Sequence, residues 1–190
     1  WFLDHLFLKL IQDPRDLPFA RVQLMNFVVL TGLATWLFID FQWYNALIMF
    51  AWYFWQLGPY TLMLHNVSHR KYFKKQHQWL YWPFISFLGM YFGHTPEAYF
   101  AHHVAMHHPE NNLEDDLSST MHLQRDSFSD FFIHYLMDFY IFGERDLLRY
   151  LKDHNRKKVR RRLMIGTLTW VAIVVGMCFI SWQASLFIWV

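Results

Sequence analysis

Disulfide chemistry is closed to this chain. Its single cysteine, Cys178, lies inside an apolar run, so neither an internal bridge nor a CxxC redox or zinc motif exists. Glycine and proline are sparse, seven and six in 190 residues, and there is no Gly/Ser linker, internal repeat or low-complexity tract. That excludes modules strung on flexible spacers. Charged residues make up only 17%, against about 25% in an average soluble domain. The space they leave is taken by apolar residues, 55% of the chain, with aromatics alone at 21%. One integral membrane domain over residues 1–190 is expected, and in that setting no nucleic-acid partner.

Long uncharged runs define the spans. Residues 22–39 are 18 positions without a charge, about 27 Å as a helix, enough to cross the hydrocarbon. Residues 46–64 return, with Gly58-Pro59 as an expected kink. Residues 163–180 form a third span, and 184–190 begin a fourth. Residues 1–11 carry apolar side chains at 2, 3, 6, 7, 10 and 11, the stripe of an amphipathic helix in the headgroup region. Leu80–Gly93 is apolar but short and interrupted by Pro83, which suits an interfacial or re-entrant segment. Phe128–Phe142 is apolar with Asp130, His134 and Asp138 along one side, a further interfacial helix.

With these spans, all 17 basic residues fall on one side, and none lies in the turns near 40–45 and 181–183. The positive-inside rule makes that side cytoplasmic. The run Arg156–Arg162 fixes orientation, with docking of an acidic donor or anionic headgroups as a lesser role. The chain starts at Trp1 without a signal peptide's basic head and cleavage site, and stops at Val190 within an apolar run. It is expected to be a piece of a longer protein.

The histidines carry the chemistry. Four of twelve fall in seven positions, His102, His103, His107 and His108. On an α-helix His103 and His107 stand one above the other at i and i+4, with His108 one step round. Thr95-Pro96-Glu97 is expected to start that helix and Pro109 to close it. His65 and His69 form a second i, i+4 pair at the exit of the second span. Neutral imidazole suits iron, zinc, copper and nickel. Five such ligands exceed one tetrahedral zinc site and point to a pair of metals. Glu110, Glu114, Asp115 and Asp116 follow directly and are read as a solvated loop before a helix capped by Asp126 or Ser127, in preference to carboxylates orienting the imidazoles. His134 and Asp138 are read as an interfacial pair.

Redox-active metal beside a bilayer has access to unactivated C–H bonds. No side-chain acid or base removes hydrogen from these, so a cofactor must.

His65-Asn66-Val67-Ser68-His69 and His103-Val104-Ala105-Met106-His107-His108 resemble the first two histidine boxes of the membrane fatty acid desaturase and hydroxylase superfamily. The 34-position separation of His69 from His103 is similar too, as is the order of spans, boxes and basic loop. The resemblance implies an all-α, multi-pass transmembrane bundle with cytoplasmic and interfacial helices carrying the boxes. It implies two non-haem irons, dioxygen as co-substrate, and His65, His69, His103, His107 and His108 as ligands, with His102 behind them. An acyl-lipid or acyl-CoA substrate, membrane lipids, and a b-type cytochrome or ferredoxin as electron donor follow, in the endoplasmic reticulum if the source is eukaryotic. The third box, a further (H/Q)-x(2–3)-H-H after His108, does not occur up to residue 190. These residues alone are therefore expected to be inactive.

A hydroxylase or alkane monooxygenase uses the same parts. A membrane metal-binding or transport protein is the alternative of another class, and a non-catalytic adaptor a third. Transport calls for ionisable groups inside the spans, and these hold only uncharged Gln23, Asn26, Thr31, Thr35, Gln56, Thr61, Thr167 and Thr169.

Overall fold

In the computed structural model, which describes residues 2–189, the described residues are helical apart from turns and one antiparallel bridge pair, Ile11 with Phe73. The main helices are α1 (Asp4–Leu10), α2 (Leu17–Ile39), α3 (Trp43–Ser68), α4 (98–110), α5 (130–153), α6 (Lys157–Cys178) and α7 (Trp182–Trp189). Shorter pieces follow α3: Lys75–Leu80 leads into the expected re-entrant stretch, which Trp82–Phe87 and Leu88–Met90 occupy. The expected headgroup helix is α1, while Trp1 at one end and Val190 at the other lie outside the described residues.

Among the described residues, two stretches are long and apolar enough to cross a membrane, Pro14–Ile39 and Lys157–Cys178. α3 has the length, and it runs unbroken through Gly58-Pro59. Its Trp, Tyr, Gln and Asn content leaves its mean hydropathy below theirs.

The chain forms two compact units. One runs up to Pro96 and resumes at Thr169; the other is Glu97–Leu168. In the first, α2 is apolar all round, so its buried seam is set by side-chain size and hydrogen bonding instead of by an apolar stripe. That seam is Ala20, Gln23, Asn26, Leu30, Ala34 and Leu37, where the two alanines allow close approach. Asn26 is fully buried on it. It donates to Val22 O (2.9 Å) and Gln56 Oε1 (3.2 Å), and accepts from Trp52 Nε1 (3.1 Å), tying α2 to α3. Gln23 donates to Phe84 O at 2.9 Å, holding the re-entrant stretch to α2.

The segment after α3 is pinned as well. Gln12 N–H donates to Tyr72 O (2.7 Å) and Lys74 N–H to Leu10 O (2.9 Å). Arg70 pairs with the fully buried Asp16, and Lys74 Nζ reaches Leu8 O at 2.8 Å. Part of the basic stretch 70–75 thus ties the fold together.

In the second unit, Ala101, Ala105 and Met106 of α4 pack on Leu147, Tyr150 and Leu151 of α5 and Leu163 of α6. α4 begins two residues later than expected, at Ala98 and not Pro96. Glu97 before it is left-handed (φ 72°) and forms an ion pair with Arg162 at 2.7 Å. At the other end the helix runs one residue past Pro109, to Glu110. The chain then turns at Asn111 and Asn112 (φ 49° and 62°), a residue type that tolerates the left-handed region.

Asn26→Ala leaves Trp52 and Gln56 without their partner and should cost roughly 1–3 kcal/mol. Asn26→Leu combined with Gln56→Leu should recover part of that loss. Thermal unfolding in detergent reads both, and a neutral Asn26→Ala would count against the network.

Candidate metal centre

Both histidine clusters are built the same way, with apolar anchors on one face of a helix end and imidazoles on the other. In the first unit Met63, Leu64 and Val67 are buried, while His65 and His69 are exposed. The two rings lie 4.9 Å apart, and Ser68 Oγ donates to His65 O at 2.7 Å, closing the helix end between them.

In the second unit the backbone departs from expectation. Residues 103–107 widen into i→i+5, π-helical hydrogen bonding, a form that often marks functional sites. The alignment therefore shifts by one position. His108, not His107, is the near neighbour of His103, with ring centres 4.6 Å apart against 5.6 Å. The Nε2 atoms of His103 and His108 are separated by 3.2 Å. His102 and His107 are the other i, i+5 pair, parallel within 7° at 6.3 Å. The i, i+4 reading of this cluster is corrected accordingly, whereas His65 and His69 keep it.

The acids that follow divide. Glu114 and Asp115 are exposed, as a solvated loop requires. Asp116 is buried, and its Oδ2 accepts from His107 Nδ1 at 2.7 Å. The same carboxylate accepts from Asn112 N–H (2.8 Å), Ser118 N–H (2.9 Å) and Ser118 Oγ (2.7 Å). Burial alone pushes its acidity towards the neutral form. The bonds from Ser118, Asn112 and His107 outweigh that and hold its pKa at about 2. An ionised Asp116 fixes the His107 proton on Nδ1 and leaves the Nε2 lone pair for a metal. The solvated-loop reading missed this contact. The legible signal was Asp116-Leu117-Ser118, an Asp with a Ser two positions on, the pattern of a local Asx turn.

Glu110 is also specific: it accepts from the Tyr150 hydroxyl. Burial, then that bond, pushes Tyr150 up to about 12. His102 packs edge-on to Phe139 at 5.3 Å. Burial, then the neighbouring His107, lowers its pKa and keeps it neutral. Ser127 caps the next helix, its Oγ 3.2 Å from Asp130 N, one of the two residues expected there. His134 and Asp138 line a cavity of about 200 Å³ together with His102 and His122.

The family model described as fatty acid desaturase matches residues 41–190. No curated protein and no solved structure matches the chain.

Because Asp116 is more acidic folded than unfolded, its stabilising effect is complete above its ordinary value of 3.8 and is lost as pH falls towards 2. Asp116→Asn presents an NH₂ to facing donors and should destabilise the 111–119 loop by about 2 kcal/mol. Amide protection at Asn112 and Ser118 should fall in the variant at neutral pH. Unchanged protection there would show that the carboxylate does not hold the loop.

Proposed function

The chain belongs to the fatty acid desaturase family, and from that premise we propose that it is an oxygen-dependent enzyme introducing a double bond into a fatty acyl chain at a di-iron centre. In this reading residues 1–190 are one membrane domain, with spans near 22–39, 46–64, 163–180 and from 184 onward. Its 17 basic residues and both histidine clusters lie on the cytoplasmic side, the endoplasmic reticulum in a eukaryote.

The observation that carries the reading is the pair His103 and His108. Two imidazole nitrogens, each about 2.1 Å from one ion and a little over a right angle apart, are separated by about 3.2 Å. That is the spacing of their Nε2 atoms here, so this donor pair fits one metal with little rearrangement. His107 completes the cluster as a donor oriented by Asp116. His65 and His69 supply the remaining nitrogens assigned to iron. Bound iron would supply dioxygen activation, the part of the chemistry no side chain performs. The protein's own contribution is to place five imidazoles on two helices and to set the His107 tautomer through Asp116. His102 backs His107, and its buried neutral ring places no added positive charge beside the donors.

The substrate in this reading is an acyl-lipid or acyl-CoA, with electrons from a b-type cytochrome or a ferredoxin. Desaturation and hydroxylation use the same donors and differ in how the acyl chain is held, so product analysis separates them.

Expression of the full-length protein followed by lipid profiling tests the reading. An unsaturated acyl product should appear and require oxygen. His107→Ala should abolish it with unchanged membrane abundance. Product from the His107→Ala protein, or zinc without iron in the purified protein, would sink the assignment.

A further inference from the structure

His108 stands where α4 is least supported by packing. The seam that holds the helix, Ala101, Ala105 and Met106, stops short of it. The last turn, His108–Glu110, buries no side chain of its own, and His108 and Pro109 are both exposed. Pro109 also has no N–H to return a backbone hydrogen bond. Yet the 3.2 Å spacing of the His103 and His108 Nε2 atoms depends on where that turn sits. Glu110 ties the turn to a packed element, because it accepts from the Tyr150 hydroxyl on α5. Tyr150 is itself fixed. The residue is only 6% exposed, in the core with Leu147 and Leu151, and His154 stacks on its ring at 4.0 Å and 25°. That imidazole places Nδ1 3.1 Å from Tyr150 O and Nε2 3.9 Å from Glu110 Oε1, so one ring braces both partners.

We propose that Tyr150 is a positioning residue for the metal centre, holding His108 through Glu110 so that its Nε2 stays within one ion's reach of His103. The inference rests on the metal reading above and extends it to α5. At His107 a carboxylate, Asp116, bonds the imidazole directly. At His108 the control is exerted two positions on, through the backbone of one helical turn. Packing alone does not account for a tyrosine here. Phenylalanine would fill the same core space, whereas only a hydroxyl can donate to the acid. Removing that donor would leave the half-buried Glu110 oxygen without it and the last turn without its tie to α5.

The test reads metal binding, not activity. Full-length protein in detergent is stripped of metal by a chelator and titrated with cobalt, followed by the visible absorption of the bound ion. Tyr150→Phe keeps the ring packed and removes only the hydroxyl. It should weaken cobalt binding about tenfold, the lower end of what such outer partners contribute, with little change in unfolding temperature. Glu110→Ala, which alters no core residue, should give the same loss, and the two changes together should cost no more than either alone. In a His108→Ala background Tyr150→Phe should have no further effect. That comparison separates positioning from general destabilisation, which would weaken binding in both backgrounds. Cobalt binding by the Tyr150→Phe or Glu110→Ala protein equal to that of the unaltered one would overturn the inference, as would the same loss with and without His108. An unaltered protein that takes up no cobalt would overturn the metal reading itself, and this inference with it.

Discussion

The second unit depends on one departure from regular helix, the widened turn at 103–107. In α-helical register His103 would answer to His107. With hydrogen bonds running i→i+5, His103 answers to His108 and His102 to His107. Such a register is rare, and here it is held from behind: Ala101 and Met106 are fully buried against α5 and α6, with Ala105 beside them. The apolar seam thus has the same i, i+5 spacing as the imidazole pairs on the opposite side. Packing and ligand geometry support the same backbone form.

Closure of the cluster is electrostatic. Left-handed Asn111 and Asn112 reverse the chain just after the last histidine, and Asp116 returns to His107 nine positions on. A buried carboxylate is costly unless satisfied. This one accepts from two backbone amides, a hydroxyl and an imidazole. The loop therefore acts as a clamp, and the tautomer of His107 follows from the acidity of Asp116.

The architecture was legible where it rests on composition. Uncharged runs marked α2, α3, α6 and α7, and the histidine spacing marked both clusters before any coordinates. What was not legible has a common cause. Sequence periodicity reports burial on an assumed helix, so it read residues 103–108 at 3.6 residues per turn and could not see the π-turn that tertiary packing imposes. The limits of α4 were legible to within two residues: Pro96 and Pro109 are strong local signals, and the helix starts after left-handed Glu97 and ends at left-handed asparagines. Asp116 stood among four acids; the Ser two positions on marked it as a turn former, but its burial and its bond to His107 come from the fold of the loop.

The placement of polar groups also bears on what kind of protein this is. Within the α2–α3 pair the buried polar side chains include the amides Asn26 and Gln56, hydrogen-bonded to each other, with Asn26 also accepting from Trp52. They act as glue between helices, a known use of such residues. A conduit for ions would need groups that change charge or coordination along a span. In this chain the titratable donors cluster outside the uncharged runs, at the end of α3 and along α4, and each cluster has an apolar anchor behind it. Fixed donors on rigid helix ends suit a resident metal, because a metal that stays bound needs ligands already oriented when it arrives. A transported ion needs ligands that let go, and Asp116, hydrogen-bonded through both oxygens and locked to His107, is built to hold.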